Sequence, residues 1–241
     1  MSTHPDADGP RLLAGEPLRE EGSQRQATLG GWFRLRDNQA PVLLTVEHVL
    51  TPDAIRRASA CLGAGDSVPR LRWHRQEGVV DRRPEGRWLC HATSGARVAR
   101  VLASGARDET GRVALLDACI AAPVNPGLGS AEYPPLAWTP RPAAPHVGRP
   151  VLKFTRHGGL RHGKVLSVSA AGEVLIASVD DRPFAVEGDS GALVIDVEAR
   201  AAVALHVGEV YQRQVDGQRW PVLWRALAVP LLMDAFRLAD Y

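Results

Sequence analysis

The chain breaks into many short apolar runs, each only a handful of residues long and each ended by glycine, proline or a polar turn. Gly31 to Arg36 (GWFRLR) and Pro41 to Thr45 (PVLLT) flank the turn-like Arg36-Asp37-Asn38-Gln39 and read as a β-hairpin. Further candidate strands are Arg70 to His74, Arg87 to His91, Val98 to Ala103, Val113 to Leu116, Val151 to Phe154, Lys164 to Ser169, Glu173 to Ala177, Ala192 to Asp196, Ala202 to Val207 and Pro221 to Leu227. So many brief strands with glycine-rich turns between them predict an all-β chain built as barrels or a sandwich. A length of 241 residues accommodates one large domain or two small ones, each able to bury a core.

Two segments interrupt the strand pattern. Between residues 121 and 150, Pro123, Pro126, Pro134, Pro135, Pro140, Pro142, Pro145 and Pro150 forbid a helix interior or a central strand, and the stretch reads as an inter-domain connector. Beyond Pro230, Leu231, Leu232, Ala235, Phe236 and Leu238 recur at helical spacing and predict one amphipathic C-terminal helix. The expected organisation is a polar leader over 1–27, a first β domain over 28–122, the connector over 123–150, a second β domain over 151–228 and the helix over 229–241.

Charge and cysteine content narrow the function classes. Bases number 29 and acids 27, too even a balance to attract a polyanion, so no nucleic-acid partner is expected. The arginines between Arg70 and Arg100 read as a solvated face. No apolar run is long enough to cross a bilayer and the polar start carries no secretion signal, which predicts a cytoplasmic protein without membrane contact. Cys61, Cys90 and Cys119 read as reduced, buried thiols, and zinc ligation by Cys61, His74, Cys90, His91 and Cys119 matches no ligand spacing, so neither metal nor cofactor is expected.

The chemistry centres on Gly188-Asp189-Ser190-Gly191, a turn running straight into the apolar Ala192-Leu193-Val194-Ile195. Gly188 lets the backbone turn so that its N–H and that of Ser190 can point into one hollow, as an oxyanion hole requires, with the Ser190 hydroxyl alongside. Serine at its ordinary pKa is a poor nucleophile, so the reading needs a histidine base and a carboxylate that orients it. His48 ends the run Leu43-Leu44-Thr45-Val46-Glu47-His48, where a strand enters a turn. Asp117, within Leu115-Leu116-Asp117-Ala118-Cys119-Ile120, is an acid in apolar surroundings that needs a partner.

Taken together, "LLTVEHVL" with His48, "LLDACIA" with Asp117 and "GDSGALVID" with Ser190 resemble the trypsin-like (chymotrypsin-fold) serine peptidases. The hairpin from Val151 to Val165 is similar to one found in bacterial intracellular members, keeping Lys153, Arg156, Gly159, Gly163 and Val165. The resemblance implies two antiparallel six-stranded β-barrels, with His48 and Asp117 on the first and Ser190 on the second. It also implies peptide-bond hydrolysis through an acyl-enzyme, with Ser190 as nucleophile, His48 as base, Asp117 as its orienting group and Gly188 and Ser190 as oxyanion donors.

Several details depart from the family pattern. Val46-Glu47 precede the histidine where two alanines are usual, and Ala192 replaces the second glycine after the serine. In secreted relatives the acid before the serine, here Asp189, pairs with an amino terminus freed by cleavage; Leu29-Gly30-Gly31 lies too near His48 to be such a terminus, so another route must order the loop. In the primary pocket the resemblance implies Phe184 at the floor and His206 and Gly208 on the wall, as in proteases that accept Glu or Gln. The implied partners are a protein or peptide substrate and an activating partner protein, and relatives of this type often act as effectors in bacterial defence. The alternative is a silent pseudo-peptidase whose cleft only binds.

Overall fold

The computed structural model describes residues 12–48, 57–61, 70–74, 86–104, 116–215 and 218–241, with side chains left out over 57–61, 70–74 and 211–222. Seventeen strands fill it. The first nine are β1 (Pro17–Glu20), β2 (Gln26–Thr28), β3 (Gly31–Leu35), β4 (Pro41–Thr45), β5 (Arg57–Cys61), β6 (Arg70–His74), β7 (Trp88–His91), β8 (Arg97–Ser104) and β9 (Cys119–Pro123). The remainder are β10 (Arg141–Pro142), β11 (Pro150–Thr155), β12 (Gly159–Val168), β13 (Glu173–Ser178), β14 (Leu193–Asp196), β15 (Ala201–Val215), β16 (Gln218–Ala228) and β17 (Leu238–Ala239).

The strands assemble as a chymotrypsin-like double barrel. One sheet runs in the order β17-β3-β4-β9-β8-β7-β1-β2, with β5 and β6 paired apart from it. The other runs β10-β15-β14-β11-β12-β13-β16, and pairing of β15 with β16 closes β11 to β16 into a six-stranded barrel. Closure removes the exposed edges an open sheet would present.

Three apolar clusters hold this together. Leu18, Leu29, Leu43, Leu89 and Val98 pack within the first sheet, and Val151, Ile176, Phe184, Val203 and Trp224 within the closed barrel. A third cluster draws on both, joining Phe33, Val42 and Leu44 to Leu193, Ile195 and Leu205. The strand pleat explains how one strand serves two cores. In β4 Leu43 faces the first cluster while Val42 and Leu44 face the third, and in β14 Val194 faces the barrel interior while Leu193 and Ile195 face the first sheet.

Expectation and structure diverge in four places. The stretch read as a polar leader forms β1 and β2, which pair with each other, β1 also pairing with β7. The C-terminal helix covers only Val229–Ala235; Arg237, at φ 53°, turns the chain so that Leu238 enters β17 against β3. The connector does more than tether: it adds β10 in parallel to the edge of β15, and it buries Tyr133, whose hydroxyl accepts from Phe154 N–H at 2.6 Å and donates to the Leu193 carbonyl at 3.3 Å. Asp117 lies just before β9 rather than inside a strand; the candidate strand Val113 to Leu116 falls outside the described residues except for Leu116. Val49, Leu50 and residues 75–85 of the arginine-rich 70–100 region, with the side chains of Cys61 and of 70–74, His74 among them, also lie outside the description. Among the described residues no helix is long and apolar enough to cross a membrane.

Candidate functional site

His48 and Asp117 meet at the mouth of the first sheet. β4 delivers His48 three residues past its end, and the segment leading into β9, the strand hydrogen-bonded to β4, delivers Asp117. His48 Nδ1 lies 2.7 Å from Asp117 Oδ2. The other carboxylate oxygen, Oδ1, accepts two backbone N–H groups, from His48 at 2.8 Å and Glu47 at 3.1 Å. Asp117 is 7% exposed at its side chain against 32% for His48, so the acid is shielded while the imidazole reaches solvent. Burying this carboxylate is offset by three donors placed around it.

Ser190 comes from the turn between Phe184 and β14, and its hydroxyl donates to the Val207 carbonyl at 2.9 Å. Gly188 and Gly191 take φ of +90° and +100°, values that L side chains rarely adopt. The turn is strapped to the strand that precedes His48's hairpin. Thr28 N–H donates to the Ser190 carbonyl at 2.7 Å, and the Thr28 hydroxyl to the Gly188 carbonyl at 2.8 Å. Thr45, three residues before His48, donates its hydroxyl to the Thr28 carbonyl at 2.7 Å. Thr28 therefore bridges the Ser190 turn and the His48 strand by hydrogen bonds to both. With both carbonyls held by Thr28, the Gly188 and Ser190 N–H groups make no hydrogen bond among the described residues.

Asp189 points the other way, into the closed barrel, where it is fully buried. Its carboxylate pairs with the equally buried Lys153 ammonium and accepts from the Thr155 hydroxyl at 2.6 Å and from Val186 N–H at 3.0 Å. In the sequence Lys153 stands in a family-like hairpin with no visible partner. A signal exists in hindsight: a lysine inside Val151-Leu152-Lys153-Phe154-Thr155 sits where only a buried acid could justify it. Thr28 carries no such signal, because its contacts lie about 160 residues away.

Of the residues assigned to the primary pocket, Phe184 and His206 are buried and Gly208 is open. Phe184 is fully buried, packed edge-on to His206 and against Trp224, and belongs to the barrel core. His206 is 2% exposed, and burial, reinforced by the Lys153 and His48 charges, pushes its pKa well below the usual histidine value. The ring bonds the Arg225 backbone, while Nδ1 meets no partner among the described residues. Gly208 faces open space: a methyl built there would touch nothing.

Among the described residues no group of three or more His, Cys, Asp and Glu side chains could hold a metal ion. Cys90 and Cys119 are free and buried, and burial raises both thiols.

No protein-family model matches the sequence, and no curated protein matches it. Solved structures do. Protease A of Thermobifida fusca superposes with a TM-score of 0.56 at 14% identity, over 95% of this chain and 97% of that one. A chymotrypsin of Cellulomonas bogoriensis gives 0.56 at 13%, over 95% and 98%. A glutamic acid-specific serine protease, described as using a novel histidine triad in substrate binding, gives 0.56 at 14%, over 95% and 100%. At such identities the likeness shows a shared fold.

Proposed function

We propose that the chain is a serine endopeptidase in which Ser190, His48 and Asp117 act as a catalytic triad. The observation that carries the reading is the Asp117 carboxylate, which takes His48 Nδ1 on one oxygen and two backbone N–H groups on the other. That arrangement leaves the proton on Nδ1 and the lone pair on Nε2, the tautomer a general base needs. The Ser190 hydroxyl turns from the Val207 carbonyl to His48 Nε2, and Oγ attacks the substrate carbonyl as its proton passes to the imidazole. The oxyanion forms beside the Gly188 and Ser190 N–H groups, each worth roughly 3 kcal/mol to a transition state of this kind. His48 then gives its proton to the leaving amine, and water releases the acyl group by the same steps in reverse.

The test is covalent. The full chain treated with a fluorophosphonate, digested and read by mass spectrometry is expected to carry one adduct, on the peptide containing Ser190. A folded chain that stays unmodified, or is modified elsewhere, sinks the peptidase reading and favours a cleft that only binds.

Side-chain preference follows from His206. A neutral imidazole has one N–H; the bond to the Arg225 backbone raises the pKa, as donation to a carbonyl does, so that N–H is spent and Nδ1 is left as an acceptor. An unmatched buried acceptor costs about 1–3 kcal/mol, which a substrate amide can recover. Of the two residues suggested by the resemblance, Gln offers a donor and Glu does not. Peptides differing only before the scissile bond should rank Gln above Glu by roughly tenfold in kcat/KM, the worth of one neutral hydrogen bond. A preference for Arg or Lys would refute the pocket assignment, since Asp189, the acid next to the Lys153 that lies over the Phe184 ring, is already paired with that lysine.

A further inference from the structure

A cavity of about 290 Å³ opens in the seam between the two sheets, and none of its lining residues belongs to the triad or to the turn that carries Ser190. Two edge strands frame it. β17 ends the first sheet and β10 ends the second, so neither has a further strand beyond it. Asp240 and Tyr241, which follow β17, line the recess from one sheet, and Arg141 and Pro142, which form β10, line it from the other. Between them Trp32 and Phe33 of β3, Leu193 of β14 and Ala202 of β15 supply a buried apolar surface.

The aromatic wall is fixed in place. Trp32 donates its indole N–H to the Leu12 carbonyl at 2.8 Å. Tyr241 lies edge-on to Trp32 with ring centres 5.7 Å apart, and the Arg34 guanidinium stacks over the tyrosine ring at 4.7 Å. The recess is therefore preformed, as small-molecule sites usually are. Its charged groups are of both signs and unmatched: Arg141 and Asp240 make no ion pair or side-chain hydrogen bond among the described residues. The neighbouring charges around β17 differ in this respect, since Arg36 pairs with Asp234 at 3.1 Å and Arg237 with Asp37 at 2.8 Å.

An apolar, aromatic recess with one cation and one anion at its sides is complementary to a molecule that carries both charges at one end and an apolar group at the other. An α-amino acid is such a molecule. We propose that the seam cavity binds a free amino acid with a large apolar side chain, its carboxylate on Arg141, its ammonium on Asp240 and its side chain against Trp32, Phe33 and Leu193. The volume lies at the lower end of the range for ligand cavities, which suits one residue rather than a peptide. The planar guanidinium of Arg141 can meet a carboxylate through two parallel N–H···O bonds. A bound ligand touches β3 on one sheet and β14 and β15 on the other, and so braces the seam. The proposal stands apart from the peptidase reading, because none of these groups takes part in the triad.

The full-length chain titrated with L-phenylalanine and followed by ligand-observed NMR, with thermal unfolding in parallel, tests this. A ligand of about twelve non-hydrogen atoms is expected to bind with a dissociation constant on the order of 1 mM and to raise the melting temperature as its concentration rises. Phenylacetate lacks the ammonium and phenethylamine lacks the carboxylate, and each should bind about tenfold more weakly. L-phenylalanine should lose about as much affinity in Arg141→Ala and in Asp240→Asn. Both side chains are exposed, so the two variants should melt with the wild type when no ligand is present.

No saturable binding up to about 20 mM, well above the expected constant, overturns the proposal. Affinity unchanged in either charge variant overturns it too, as does phenylacetate or phenethylamine binding as tightly as the amino acid. Ser190→Ala separates this site from the triad: L-phenylalanine binding that disappears in that variant would mean the ligand sits as a substrate in the cleft, and the seam site falls. A chain that binds L-phenylalanine in the expected way yet never reacts with a fluorophosphonate keeps the seam site and loses the peptidase reading.

Discussion

Asp117→Asn is expected to lower kcat by about 10⁴-fold in a chain that remains folded. The size of the loss follows from which oxygen does what. Oδ1 accepts from two backbone N–H groups, Glu47 and His48, and neither can reverse its role. The asparagine oxygen must therefore occupy that side, which turns the amide NH2 toward His48 Nδ1, 2.7 Å from the present Oδ2. Nδ1 then has to accept, its proton moves to Nε2, and the imidazole can no longer take the proton of Ser190. The variant loses the base without losing the side chain. Ser190→Ala in the same series sets the floor, near 10⁶-fold below wild type, because the nucleophile itself is gone. Steady-state hydrolysis of a peptide substrate, with thermal unfolding measured alongside, checks both; an Asp117→Asn variant within tenfold of wild type would mean that His48 gets its tautomer from elsewhere.

What could be seen in the sequence, and what could not, divides along physical lines. Gly188-Asp189-Ser190-Gly191 and the apolar strand after it are contiguous, so turn chemistry and strand pattern are visible together. His48 and Asp117 stand out because a polar group at the end of, or within, an apolar run costs free energy unless matched, and the structure brings the two to 2.7 Å. The strands β8, β11, β13 and β16, each built on an apolar run, lie close to their expected ranges. By contrast β1 (PLRE) and β2 (QAT) are too short and too polar to have a period, β17 (LA) is only two residues long, and all three exist because a neighbouring strand offers them partners. The C-terminal helix ends before its apolar spacing does for a related reason: Leu238 has helical spacing from Leu231 but pairs with β3 instead. The Lys153–Asp189 pair joins residues 36 positions apart, one on β11 and one in the turn before the neighbouring β14, and no local rule links them.

These long-range contacts also explain why the turn tolerates Ala192 but should not tolerate alanine one residue earlier. Ala192 is fully buried at the entry to β14, and its N–H donates to the Asp189 carbonyl at 3.1 Å. Gly191 is different on two counts. Its φ of +100° disfavours any side chain, and a methyl there would overlap the Thr28 carbonyl oxygen and come within 2.6 Å of Thr45 Oγ1. Neither obstacle is a flexible side-chain tip. To make room, Thr28 must retreat, breaking the Thr45 bond to its carbonyl, its N–H bond to Ser190 and its hydroxyl bond to Gly188. Backbone strain of roughly 1–2 kcal/mol and three hydrogen bonds of about 1 kcal/mol each sum to about 4 kcal/mol. Gly191→Ala should accordingly melt on the order of 10 °C below wild type. Gly22→Ala is the matched control, because Gly22 has a similar φ of +81° but nothing within 4 Å of an added methyl. It should carry only the strain, a shift of roughly 3 °C. Calorimetry of the two variants separates conformation from crowding, and equal shifts would show that the Ser190 turn does not lean on Thr28.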